Sequence, residues 1–470
     1  MTFTPRIVAF LCDHCAYAAA DAAGRERLVY PQALLTIRVM CTGRIEPTHV
    51  VQALREGADG VLVAGCHPGD CHYLRGNIEA LARFTLLQRT LADLGFEPAR
   101  VRMTWASATE SEHFASTVRE MTAALQQLGP LSYARSTLEE APSAVPAHVQ
   151  PGPAAAAPPA GRRPRLAFYW NASCGGCEEA IVDLAEGLHA VLEVADVVLW
   201  PVALDFRRKD IEALPDGDID VSFINGAVRT QEQVEMAELL RRKSRVVVAF
   251  GACAHLGGIV GLGNLVGSAA IRAVSHGDHP GTQHDALHLP DLCARVRPLA
   301  EVVAVDCTVP GCPPTTEVIL PAVQALLAGK LPPFGAVLSP GRALCETCTR
   351  RESRPEKVDL SRMRRIATYQ PNPDKCFLAD GLVCLGPATR QGCGESCMNA
   401  NMPCRGCFGP PDGVTDQGAA FLGAVGSLLA GESAEGAAAA AGAFVDPTGT
   451  FYRYSMASAL IPARRFPVLP

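Results

Sequence analysis

The sequence has no apolar run long enough to cross a bilayer, which takes about 20 residues. It has no excess of positive charge. Lys and Arg total 42 against 48 Asp and Glu, for a net charge of −6. Nothing in that balance favours nucleic acid or an anionic membrane surface as a partner. The opening stretch "MTFTPRIVAFLCDHC" carries no charged segment followed by a long apolar one, and no twin arginine, so a cytoplasmic location is expected. A dinucleotide fingerprint is also missing: "GLGNLVG" (261–267) has glycines but does not open a helix directly after a strand.

Cysteine is what the chain has in quantity, 19 of 470 residues. A reducing cytoplasm disfavours disulfides, so dense cysteines there point to metal or redox chemistry. An odd number also forbids complete pairing. Scattered buried thiols acting as small hydrophobes would account for a few, but not for repeated C-x2-C pairs.

Two breaks organise the chain. Residues 141–164, "APSAVPAHVQPGPAAAAPPAGRRP", are rich in proline and alanine without periodicity and read as a semi-rigid linker. Residues 430–443, "AGESAEGAAAAAGA", read as a surface loop or frayed helix. Before the linker, strand-like runs at 6–12, 35–41, 60–66 and 101–106 alternate with amphipathic stretches such as 46–57 and 75–95. Such alternation predicts a doubly wound parallel sheet of the flavodoxin-like kind. The pattern returns after the linker, at 165–170, 221–228, 245–253 and 301–314. The expected organisation is therefore α/β. It has a first sheet domain (1–140), the linker (141–164), a second sheet domain (165–335) and a cysteine-rich, mostly irregular domain (336–470).

The cysteines follow the strands. Cys12, Cys41 and Cys66 end strands of the first domain, with Cys15 and Cys71 close behind. In open parallel sheets ligands bind beyond the carboxyl ends of the strands. One cluster needs four thiols, so one of these five is left over. His14, His67 and His72 beside them read as loop polar groups or as supporting neighbours of the ligands. In the second domain Cys174, Cys177, Cys253 and Cys312 occupy equivalent places. From about residue 340 eight more follow: "CETC" (Cys345, Cys348), "CFLADGLVC" (Cys376, Cys384), "CGESC" (Cys393, Cys397) and "CRGC" (Cys404, Cys407). A segment this polar and glycine-rich cannot fold on buried apolar surface, and metal would supply the missing energy. Zinc and iron–sulfur clusters both take four thiolates. The irregular spacing suits a cluster better, but spacing leaves both open. Cys293 and Cys307 fit no set.

These stretches resemble known hydrogenase subunits. "CGGCEE", "FGACAHLGGIVGLGN", "VPGCPPTTE", "CETCTR" and "CLGPATRQGCGESCMNANMPCRGCFGP" resemble the small (gamma) iron–sulfur subunit of a cytoplasmic methyl-viologen-reducing (F420-non-reducing) NiFe hydrogenase. "RVMCTGRIEPTHVVQALREGADGVLVAGCHPGDCHYLRGN" and "GFEPARVRMTWASATE" resemble the separate delta subunit of the same enzymes. The chain thus looks like a fusion of the two.

The resemblance implies a site for each set. Cys174, Cys177, Cys253 and Cys312 match the ligands of the proximal 4Fe–4S cluster. Cys393, Cys397, Cys404 and Cys407 match the medial cluster, and Cys345, Cys348, Cys376 and Cys384 the distal one. Cysteine at every position implies three 4Fe–4S clusters. The delta-like part implies one 2Fe–2S cluster on four of Cys12, Cys15, Cys41, Cys66 and Cys71. Glu179 matches an acidic residue on a possible proton path, although a carboxylate in the first turn of a helix is also favoured by the macrodipole. Gly175 departs from the family, which has threonine there; this should alter hydrogen bonding to a cluster sulfur.

The implied role is an electron relay. Electrons from H2, released at the nickel site of a partner large subunit, would pass through the clusters to a heterodisulfide-reductase-like flavoprotein, in electron bifurcation. Nickel in these enzymes is held by paired C-x2-C motifs of the large subunit, and the ending "YSMASALIPARRFPVLP" has none, so the chain should not split H2 alone. The competing readings are a zinc-stabilised structural module and a hydrogen-sensing regulatory subunit.

Overall fold

The structure is a computed structural model that describes residues 3–32, 34–131, 161–276, 290–358, 363–429 and 433–461. Most of the expected linker lies outside them. Near the amino terminus, β1 (Ile7–Cys12), β2 (Leu34–Val39), β3 (Gly60–Gly65) and β4 (Val101–Trp105) form a parallel sheet in the order β2-β1-β3-β4. Alternation along each strand decides its two faces. Ile7, Ala9 and Leu11 of β1, with Leu62 and Ala64 of β3, pack under α1 (Ala16–Arg25) and α4 (Ser111–Leu128). Phe10, Val61 and Val63 face the other way, toward α2 (Pro47–Arg55) and α3 (Gly76–Asp93). Because both faces of β3 are covered, its sequence reads as one apolar run. The edge strand β2 is largely exposed.

The second sheet repeats the plan with six strands. They are β5 (Arg165–Trp170), β6 (Asp196–Leu199), β7 (Ile219–Asn225), β9 (Ser244–Phe250), β11 (Cys307–Val309) and β12 (Ala336–Val337). All pairings are parallel, in the order β12-β11-β9-β7-β5-β6. A small antiparallel pair, β8 (Val228–Thr230) with β10 (Leu292–Arg297), sits apart from it. In both sheets the chain starts on an inner strand, β1 or β5, and then builds to either side. The switch point lies beside that first strand, where open α/β sheets bind ligands.

Beyond β12 regular structure is sparse until three closing helices, Gln417–Leu428, Ala434–Gly442 and Pro447–Phe451. The first is capped by Asp416, whose carboxylate accepts from Ala419 N at 2.8 Å. These helices pack on α3. One hydrophobic core runs from Val50, Leu54 and Ile78 through Phe421, Val425 and Phe444 to Phe377 and Leu378 of the cysteine-rich stretch. The amino-terminal sheet domain is therefore docked directly on the carboxyl-terminal region. Within residues 430–443, expected as a surface loop or frayed helix, Ala434–Gly442 form a helix that buries Ala437, Ala440 and Ala441.

Polar contacts fix that dock. The buried Arg83 of α3 donates to Ser427 Oγ at 2.9 Å and to Gly43 O at 2.8 Å, and pairs with Glu46 at 3.2 Å. Arg89 donates to the carbonyls of Ala441, Gly442 and Phe444 at 2.9, 2.7 and 2.6 Å, satisfying the open end of a helix. Lys357 bridges Glu79 (2.7 Å) and Ser427 O (2.8 Å). At Gly426 a Cβ would lie 2.8 Å from Arg83 Cα, so only glycine permits this approach.

Candidate thiol sites

In the first sheet, Cys12 ends β1 while Cys41 and Cys66 lie just past β2 and β3; Cys15 caps α1 and Cys71 precedes α3. The five meet at the carboxyl end of the sheet. Cys12 Sγ is 3.6 Å from Cys66 Sγ, and Cys41 Sγ is 3.9 Å from Cys71 Sγ. Burial pushes the Cys12 and Cys66 thiols up to about 11, while backbone N–H groups of His14 and His72 pull the other way. Gly43 N donates to Cys41 Sγ at 3.4 Å. The histidines stand around the thiols: His14 stacks on His72, ring centroids 3.9 Å apart, and His67 pairs with Glu110 at 2.7 Å.

Around the second sheet, Cys174 and Cys177 follow β5, Cys253 follows β9 and Cys312 follows β11. The strand ends are level, since Trp170 pairs with Asn225, Asn225 with Phe250, and Phe250 with Val309. Cys177 is buried, and its thiol is pushed well above the ordinary range by burial and then by Cys253, Cys312 and Cys174. Cys174 and Cys312 are exposed. Glycines make room for the sulfurs: a Cβ on Gly251 or Gly258, both at positive φ, would lie 2.4 Å from Cys177 Sγ or Cys253 Sγ.

Cys345, Cys348, Cys376 and Cys384 form a third group. Burial and then Cys384, Cys376 and Cys348 push the Cys345 thiol up to about 12. Cys393, Cys397, Cys404 and Cys407 form a fourth. Cys407 is pushed up to about 12 by burial and next by Cys312, and its sulfur also faces the backbone N–H of Cys312. Cys404 is raised by burial and next by Cys384. The backbone N–H of Cys312 faces Cys407 Sγ, that of Cys404 faces Cys384 Sγ, and Leu385 N donates to Cys404 O at 3.0 Å, so the fourth group adjoins both the second and the third. The fourth set thus links the other two.

These surroundings fit a cationic iron–sulfur group. Burial and mutual repulsion oppose ionising four thiols together, a cost that bound cations reverse. Backbone N–H groups aimed at sulfur, as at Cys384 from Gly386 and Cys404, favour the ionised ligand. Among the described residues no three His, Cys, Asp or Glu side chains close in tightly enough to cage a single ion. Cys307 is a buried core thiol of β11, and Cys293 lies 3.8 Å from an Arg297 nitrogen; neither joins a set.

Glu179 is exposed on the first turn of the helix Gly176–Val182. Its neighbour Glu178, which the sequence does not single out, is buried instead. It accepts from Trp200 Nε1 and Asn225 Nδ2, both at 2.5 Å, and burial raises its pKa. Two adjacent acids offer no sign of which faces inward until their helix is packed. Gly175 holds φ +90° with its Cα facing the Trp170 ring: a Cβ there would lie 3.3 Å from that ring, so a threonine would be strained.

Known proteins match in two blocks. Residues 7–129 match the family model "Methyl-viologen-reducing hydrogenase, delta subunit", and 174–326 match "NADH ubiquinone oxidoreductase, 20 Kd subunit". An iron-sulfur polypeptide of the F420-non-reducing hydrogenase of Archaeoglobus profundus is 34% identical over 319 residues, 64% of this chain and 99% of the relative. A second iron-sulfur polypeptide of the F420-non-reducing hydrogenase of that organism is 50% identical over 131 residues, 28% of this chain and 96% of the relative. One polypeptide of the ferredoxin/F420H2-dependent CoB-CoM heterodisulfide reductase of Methanosarcina acetivorans is 46% identical over 127 residues, 27% of this chain and 16% of the relative. No helix among the described residues is long and apolar enough to cross a membrane. The chain thus belongs to the F420-non-reducing hydrogenase family, as an oxidoreductase subunit that joins in one polypeptide the delta-like and small-subunit parts its relatives carry separately.

Proposed function

We propose that the chain carries electrons between a NiFe large subunit, where H2 is oxidised, and a heterodisulfide-reductase-like flavoprotein. Cleavage of H2 itself belongs to that large subunit. The observation that carries the reading is that the thiol set Cys393, Cys397, Cys404 and Cys407 adjoins both others, through the Cys312 N–H at Cys407 Sγ and the Cys404 N–H at Cys384 Sγ. Cys174, Cys177, Cys253 and Cys312 would hold the proximal 4Fe–4S cluster. Cys393, Cys397, Cys404 and Cys407 would hold the medial one, and Cys345, Cys348, Cys376 and Cys384 the distal one. A 2Fe–2S cluster would sit on the amino-terminal thiols. When bound, such clusters supply one-electron carriers whose potentials depend on burial and on hydrogen bonds to sulfur.

The chain's own residues then provide spacing and insulation. Exposed Cys174 and Cys312 mark the face a large subunit would cover, and exposed Glu179, two residues after Cys177, is the candidate proton carrier. Docking of α3 on the closing helices holds the delta-like module against the cysteine-rich region, so the link does not depend on the linker. The heterodisulfide reductase relative, similar over 127 residues, supports such an acceptor; electron bifurcation at that flavoprotein is part of the proposal. The test is anaerobic reconstitution with the large subunit. H2 should bleach the visible cluster absorption of this chain, and the flavoprotein should restore it. A chain that stays oxidised under H2 in that complex would refute the relay.

A further inference from the structure

Five thiols meet at the amino-terminal site, and a two-iron cluster takes four. Distance sorts them into pairs, Cys12 with Cys66 at 3.6 Å and Cys41 with Cys71 at 3.9 Å. Two thiolates on one tetrahedral metal lie about 3.8 Å apart when each metal–sulfur bond is about 2.3 Å, the zinc value. Each pair therefore has the bite of one metal ion.

Both pairs are fixed by the fold. Cys12 ends β1 and Cys66 directly follows β3, neighbouring strands in register from Ile7 with Gly60 to Leu11 with Ala64. Cys41 and Cys71 come from two loops pressed together at glycines. A Cβ on Gly43 would lie 2.8 Å from Gly76 Cα, and one on Gly76 would lie 2.4 Å from Cys41 Sγ.

Cys15 remains. Its thiol also meets that of Cys66, so contact alone would let it compete with Cys12. Two observations favour Cys12. That residue is 1% exposed at the end of a core strand, whereas Cys15 is half-buried at the start of α1. The Cys12 sulfur also faces the backbone N–H groups of His14 and Cys15, while the strongest partner of the Cys15 sulfur is another thiol. Main-chain donors stabilise an ionised ligand.

We infer that Cys12 and Cys66 hold one iron, that Cys41 and Cys71 hold the other, and that Cys15 is a free thiol at the rim. This rests on the 2Fe–2S reading above. The test compares C12A and C15A in the full chain, purified anaerobically, by iron and sulfide content and by the electron paramagnetic resonance signal of the reduced 2Fe–2S cluster. C12A should lose about two irons, two sulfides and that signal, and C15A none of them. The irons of the other sets report that each variant is folded. If C15A loses those as well, C15S replaces it as the readout. The reverse pattern, loss in both variants or retention in both would overturn the assignment. A wild-type chain without the 2Fe–2S signal would instead overturn the reading on which it rests.

Discussion

The amino-terminal thiols and those of residues 345–407 are held in opposite ways. The first five hang on a sheet whose two faces are already covered by α1 with α4 and by α2 with α3. The later eight lie in a stretch with only short turns, where Cys384 and Cys404 are themselves part of the core. In one region a complete sheet carries the thiols; in the other the thiols are themselves part of the packing, and on the proposed reading bound clusters hold much of the stretch together. That difference sets what metal removal should do.

The largest expected effect is on the cysteine-rich stretch. Anaerobic chelation should release iron from all sites, yet hydrogen exchange should accelerate mainly across 340–416, while β1, β3, β7 and β9 keep their protection. Structural metal contributes on the order of 10 kcal/mol in small metal-folded domains. Equal acceleration across the sheets would break the comparison.

Next in size are changes at the dock between the regions. Phe421→Ala removes a fully buried ring and should cost about 3–5 kcal/mol. Gly426→Val would push a side chain into α3 and should cost about 1–3 kcal/mol, read by chemical denaturation. Both should loosen α3 in hydrogen exchange while leaving the small-subunit sheet intact. Arg89→Ala, which strands three carbonyls, should cost about 1–3 kcal/mol in the same assay.

The smallest effect concerns the rim of the amino-terminal site. The backbone N–H of Ser107, and then His67, hold the Glu110 carboxyl down from 4.5 to about 2. A depressed acid stabilises the fold above its unfolded value and loses that contribution as pH falls from about 4.5 toward 2. Because Glu110 is solvent-screened, Glu110→Gln should change stability at pH 7 by under about 1 kcal/mol. Denaturation midpoints of mutant and wild type should converge near pH 2.

How much of this was legible in the sequence differs by region. Strand-terminal cysteines such as Cys12 announce themselves, because buried parallel strands read as apolar runs and sites follow their ends. The first sheet and four of the six strands of the second were readable for the same reason, whereas the short strands β6 and β12 were not. The dock was not. Ala437, Ala440 and Ala441 give no amphipathic contrast in an alanine-rich run, so the helix looked like low-complexity surface. The requirement for Gly426 exists only once α3 lies against it. The inward turn of Glu178 likewise depends on Trp200 and Asn225, which are distant in sequence.

The most direct test of the central claim is the iron, acid-labile sulfide and zinc content of the anaerobically purified chain. Three 4Fe–4S clusters and one 2Fe–2S cluster predict about 14 irons, matching sulfide and little zinc. Stoichiometric zinc with almost no sulfide would contradict the account and make the thiol sets a scaffold.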